Sequence, residues 1–89
     1  HCFVLNKGQK IAAELSELES GRLIQIFTDQ PGIQLYTGNH LKGVFSKNQG
    51  LCLETQHFPN SPNISSFPST LLKSNTNYHS KTSYHFKNL

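Results

Sequence analysis

The sequence predicts an all-β, antiparallel chain, and three observations carry the prediction. Near the end of the chain, apolar and polar residues alternate from Tyr78 to Lys87. Leu23–Thr28 is rich in β-formers and is followed at once by Asp29-Gln30-Pro31-Gly32 and a second short run, Ile33–Thr37. A third short apolar run, Leu51–Gln56, lies between Gly50 and a proline-rich stretch. Alternation marks strands because successive side chains on extended backbone point to opposite faces.

The elements follow in order. The chain opens on an apolar run, His1–Leu5, read as a strand. Ile11–Ser20 fits two periods. Ile11, Leu15 and Leu18 have helical spacing with Gly21 as a possible cap, whereas Ile11, Ala13 and Leu15 alternate against Ala12, Glu14 and Ser16. Its strand-like neighbours decide for strand. Leu23–Thr28 is the next strand. Pro31-Gly32 suits the central pair of a type II turn, because proline presets φ and glycine accepts a positive φ. Ile33–Thr37 returns as a strand and Gly38-Asn39 breaks it. Asn39–Gly50 reads as a polar loop, and Phe58–Ser69, with Pro59, Pro62 and Pro68, as a long loop of little regular structure. Loops of that length in compact domains are often functional. In the last strand, Tyr78, Ser80, Thr82, Tyr84 and Phe86 form the packed face. His79, Lys81, Ser83, His85 and Lys87 form the wet one.

Composition narrows the function. The chain has 89 residues, 35% hydrophobic, and a net charge of +3 from eight basic and five acidic residues. A domain of this size has a marginal core. There is no Met, and the apolar run begins with no leader, so we expect a carboxy-terminal fragment or one piece of a nicked protein. The cations are dispersed and Arg22 is the single arginine, which argues against a nucleic-acid surface. No run of about 20 apolar residues points to a membrane span. Cys2 and Cys52 lie far apart in apolar strands without Cys/His ligand spacing. They read as buried reduced thiols rather than a zinc site. Asn63-Ile64-Ser65 fits a glycosylation triplet, a pattern common by chance.

Candidate chemistry centres on two polar residues inside strands. Glu54 shares a face with Cys52 and Gln56, while Leu51, Leu53 and Thr55 point the other way. Glutamate is a poor β-former. It is either a solvent-facing residue of a half-exposed strand or a carboxylate shielded in a pocket to act as a base. Gln34 shares a face with Tyr36. It is either an exposed amide or a donor–acceptor for sugar hydroxyls beside an aromatic ring. His79 and His85 belong to the wet face of the last strand. His40 and His57 lie in loops and read as loop residues ahead of acid–base groups. No G-x-S-x-G elbow and no glycine-rich phosphate loop is present.

The segments "TDQPGIQLYTGN" (Thr28–Asn39) and "GLCLETQHFPNSPN" (Gly50–Asn63) resemble the carboxy-terminal part of the galactose mutarotase (aldose 1-epimerase) family. "HCFVLN" resembles that family's Asp-His-x-Phe strand, and "FPSTLLKSNTNYHSKTSYHF" its closing strands. The resemblance implies an antiparallel β-sandwich, of which residues 1–89 are the carboxy-terminal part of a single domain. It implies a cytoplasmic isomerase that interconverts the α and β anomers of free aldohexoses, galactose or glucose, without metal or organic cofactor. Glu54 matches the family's catalytic base and Gln34 its sugar-contacting glutamine. The family's aspartate before His1, its general-acid histidine and a second site histidine would belong to an upstream remainder of the same protein. This sequence departs from the family at Pro59-Asn60, where Pro-Asp is usual, and in a shorter loop between Asn39 and Gly50. Both departures bear on the rim and on substrate preference. Two other readings stand beside it. One is a non-catalytic carbohydrate-binding module on the same sandwich. The other is a hexose-phosphate epimerase, which the single arginine disfavours.

Overall fold

A computed structural model describes residues 1–89. Six strands account for nearly all the regular structure: β1 (Cys2–Val4), β2 (Ala13–Glu17), β3 (Arg22–Thr28), β4 (Gly32–Tyr36), β5 (Cys52–Gln56) and β6 (Thr82–Asn88). One 3-10 turn, Ser61–Asn63, interrupts the proline-rich loop, with Pro62 near its start. The ambiguous segment is a strand. β2 pairs with β3 in the register Ala13↔Ile26, Leu15↔Ile24, so the alternating period prevails over the helical one. The connection after β2 is closed by Glu17, whose carboxylate accepts the N–H groups of Glu19 and Ser20, each at 2.7 Å, and by Gly21 at φ +67°.

The Ser20 hydroxyl and those two N–H groups hold the Glu17 carboxyl below its ordinary 4.5. A lowered carboxyl stabilises the fold only while ionised. Its contribution is therefore complete above the ordinary value and is lost as pH falls through the lowered one. The amide proton shifts of Glu19 and Ser20 are expected to titrate together in that acid window and to stop doing so in Glu17→Gln. Shifts that hold still in the unsubstituted chain would contradict this turn.

The strands form two antiparallel sheets, in the orders β1-β4-β5 and β2-β3-β6. The sequence suggests a tight turn from β3 to β4, yet the two strands lie in different sheets. Asp29–Pro31 is an arch that carries the chain from one sheet to the other. Gly32 is the first residue of β4 and has no positive φ, so the type II turn is absent. Glycine is needed there for space. A Cβ on Gly32 would lie 3.0 Å from Cys2 Sγ and from the Phe58 ring. The arch is tied to the chain end: Asp29 accepts from the Ser80 hydroxyl at 2.9 Å and the Lys81 N–H at 3.0 Å, and the Gln30 carboxamide reaches Tyr78 and Ser80. Those contacts take Tyr78–Lys81 out of the final strand, which begins at Thr82.

The interior lies between the sheets. Ile26 of β3 and Ile33 of β4 are its two buried apolar side chains. Thr82, Tyr84 and Phe86 share the inward face with Ile24, Ile26 and Thr28 through the register Thr28↔Thr82, Ile26↔Tyr84, Ile24↔Phe86. The face assignment from alternation is correct, but it is packed at one end only, and Phe86 remains 76% exposed. On the outer face Gln25 bonds Glu14 at 2.7 Å and His85 lies against Phe27 at 4.5 Å. The accessible surface is 7288 Å². A folded monomer of this mass shows about 5,200 Å². The radius of gyration, 15.8 Å, likewise exceeds the ~12 Å of a compact domain of this length. About 2,000 Å² more than a self-contained fold would show is thus left open. No helix is long and apolar enough to cross a membrane.

Candidate active site

The candidate residues come together through strand register. β4 and β5 pair antiparallel with Gln34↔Glu54 and Tyr36↔Cys52, and β1 sets Cys2 opposite Gln34. Side chains at directly opposed positions share a face with Cβ atoms ~4.5–5.5 Å apart. Cys2, Gln34 and Glu54 therefore form one row across the β1-β4-β5 sheet, with Tyr36 and Cys52 in the next row and Gly32 and Gln56 in the one before. The alternate residues, Ile33, Leu53 and Thr55, turn to the other sheet. Their burial is what forces Glu54 and Gln34 outward, because a one-residue slip would exchange every side chain between core and surface.

Gln34 is half-buried and Glu54 exposed, so within this chain Glu54 stands on an open sheet face rather than in a closed pocket. Cys2 is half-buried and Cys52 exposed, both free, and the buried-thiol expectation is corrected for Cys52, an outward-facing residue of an edge strand.

The rim at the Tyr36 end is built by a clip. The Asn48 carboxamide donates to Thr37 O at 2.7 Å and to Asn39 Oδ1 at 2.9 Å, and Asn39 Oδ1 also accepts the Thr37 hydroxyl at 2.9 Å. The Gly38 carbonyl accepts the N–H groups of Leu41 and Asn48. Gly38 has φ +74°, and a Cβ there would lie 2.5 Å from the Gly50 carbonyl oxygen, so Thr37-Gly38-Asn39 can close the loop only with glycine at its centre. The clip brings His40 over Tyr36: its N–H donates to the Tyr36 hydroxyl at 2.9 Å, and the rings stack 6.5 Å apart.

The other histidines are elsewhere. His57 Nδ1 pairs with the Gln30 carboxamide oxygen at 2.9 Å in the arch, and His85 is on the outer face of the other sheet. No cluster of His, Cys, Asp and Glu is arranged to hold a metal ion.

Sequence reasoning found Gln34, Tyr36 and Glu54 singly but missed their juxtaposition and the Asn48 clip. Asn48 carries no motif. The signal lies in the geometry of the loop it closes. Chemically, the row sets an acceptor-only carboxylate beside a carboxamide that both donates and accepts, with an aromatic ring next along the strand. Such a set can both accept from and donate to hydroxyl groups.

Two antiparallel sheets, tied to each other by the Thr55–Thr82 and Tyr84–Leu53 contacts, define an all-β protein of the antiparallel sandwich class. The chain belongs to the aldose 1-epimerase family, whose model matches residues 1–85. It is 40% identical to galactose mutarotase of Mus musculus over 96% of this chain and 27% of that protein, and 37% identical to that of Homo sapiens over the same shares. Aldose 1-epimerase of Escherichia coli (strain K12) is 33% identical over 97% of this chain and 28% of its own length. The chain thus spans little more than a quarter of the curated relatives it matches.

Proposed function

We propose that this chain supplies the carboxy-terminal strands of an aldose 1-epimerase that interconverts the α and β anomers of a free aldohexose, with Glu54 as the base and Gln34 as a sugar-binding residue. The observation that carries the reading is the Gln34↔Glu54 register, which sets a carboxylate and a carboxamide side by side on one sheet face.

The reaction needs a base and an acid in concert. Glu54 takes the proton of the C1 hydroxyl while an acid protonates the ring oxygen. The bond from C1 to the ring oxygen breaks, the open-chain aldehyde turns about C1–C2, and closure on the other face reverses both transfers. Every proton moved in opening is returned in closure, so no cofactor is consumed.

The β1 register supports the reading from a second side. His1 exchanges backbone hydrogen bonds with Leu35, at 2.8 and 3.1 Å, and Cys2 stands opposite Gln34. One residue further back would stand opposite Tyr36, and by period two it would share the face of Gln34 and Glu54. That is the position at which the family resemblance calls for a sugar-binding aspartate. The uncovered ~2,000 Å² and the edge strands fit a remainder of the same polypeptide, which would close the sandwich and bring the acid.

Polarimetry on freshly dissolved α-galactose with the full-length protein tests the function. Catalysed approach to equilibrium is expected, and a rate equal to that of buffer would refute the reading. If Gln34 holds the sugar, Gln34→Ala is expected to raise KM at least as much as it lowers kcat. The loss of about one hydrogen bond, ~0.5–1.5 kcal/mol, sets its size. Unchanged kinetics would make Gln34 an ordinary strand amide.

A further inference from the structure

We infer that Thr82, through Thr55, is a positioning residue for Glu54, an inference that rests on the proposed role of Glu54 as base. β5 is the edge strand of its sheet, paired within this chain to β4 alone. An edge strand held on one side can twist or fray, and a base carried on it needs support from behind. That support comes from β6. Thr55, the neighbour of Glu54, turns inward and its hydroxyl meets that of Thr82 at 2.8 Å. Thr82 Oγ1 is in turn 2.9 Å from Thr28 Oγ1, which accepts the Gln30 N–H at 3.1 Å.

On the other flank of Glu54, the Tyr84 hydroxyl reaches Leu53 O at 3.4 Å. Both residues bracketing Glu54 are thus tied to β6 of the opposite sheet, and the arch after β3 anchors the outer end of the hydroxyl chain. All three threonine hydroxyls are partly buried. Each has one hydrogen to give and two lone pairs to accept with, so either partner can be the donor in each of the two threonine pairs.

A base carried on so short a strand is sensitive to the strand's pitch, since displacement by 1 Å can cost ~100-fold in rate. Gln34 sits on the central strand β4, paired on both sides, and does not depend on β6 in the same way. Loosening β5 therefore acts on the chemical step more than on sugar binding.

The test uses the full-length protein with α-galactose. Thr82→Val keeps the shape and removes both hydroxyl bonds. It is expected to lower kcat by roughly 10- to 100-fold with KM within about 2-fold, and Thr82→Ser is expected to restore most of the rate. A lowered melting temperature with normal kcat would make the hydroxyl chain purely structural and overturn the inference, as would equal losses in kcat for the valine and serine variants. Should Thr82→Val not fold, Thr55→Val removes only the bond between Thr55 and Thr82, and a kcat unchanged in that variant also overturns it. Glu54→Gln, run alongside, separates the two levels. If it keeps its activity, the base assignment itself fails. If it is inactive while Thr82→Val is normal, only the positioning role fails.

Discussion

Glu54→Gln in the full-length protein is expected to slow mutarotation by ~10²–10⁴-fold, the usual contribution of a positioned proton-transfer group. The amide is nearly isosteric with the carboxylate and sits on an exposed sheet face, so the substitution leaves the strands and their register intact. What changes is proton affinity. A carboxylate accepts the C1 hydroxyl proton, whereas a carboxamide can hydrogen-bond the hydroxyl but cannot hold its proton. Binding is therefore expected to survive while turnover falls. The alternative offered by an exposed strand glutamate is a surface residue whose replacement shifts stability by no more than ~0.5 kcal/mol and leaves the rate untouched. The two outcomes differ by orders of magnitude.

The 89-residue chain alone is expected to show no catalysis, although it contains Glu54. If Glu54 is the base and the acid belongs to another part of the protein, as proposed, the ring oxygen is left to be protonated by water and the sugar is positioned from one side only. Energetics point the same way. Only Ile26 and Ile33 are buried hydrophobic residues, while Val44, Leu71 and Phe86 are each at least 75% exposed. Each sheet has only three strands and two open edges. Such a chain is prone to partial folding and aggregation. The optical rotation of α-galactose with the isolated chain is expected to change at the rate of buffer, with activity returning when the complementary upstream part is added. A saturable rate above buffer, abolished by Glu54→Gln, would mean that the acid lies among these residues. His40, over Tyr36, would then be the first to replace.

Much of this architecture is legible in the sequence because it depends on local period. The inward face of β6 and the outward pair Gln34 and Glu54 follow from alternation alone. Leu53 and Thr55 on one face oblige Glu54 to take the other. What alternation cannot give is which strands are neighbours. Pro31-Gly32 has the chemistry of a tight turn, yet β3 and β4 part into separate sheets, and Gly32 is present to admit Cys2 and Phe58 rather than to reverse the chain. The row of Cys2, Gln34 and Glu54 is assembled from strands far apart in the chain, with β2 and β3 of the other sheet between β1 and β4, so no spacing rule announces it. The same holds for the Thr28–Thr82–Thr55 chain. Tyr78–Lys81 continues the alternating pattern but is drawn off by Asp29 and Gln30, a tertiary competition invisible to periodicity.

Two residues facing each other across one ladder are proposed to divide the work, Gln34 holding the sugar and Glu54 moving its proton. Magnetisation exchange between the α and β anomeric protons of galactose, recorded at saturating sugar, measures the interconversion directly. Run on the full-length protein, Gln34→Ala and Glu54→Gln under identical conditions, it separates holding from reacting. Exchange is expected to be catalysed by the unsubstituted protein, to be largely retained in Gln34→Ala once the sugar saturates the site, and to fall by ~10²–10⁴-fold in Glu54→Gln. Near-normal exchange in Glu54→Gln would show that Glu54 does not move the proton.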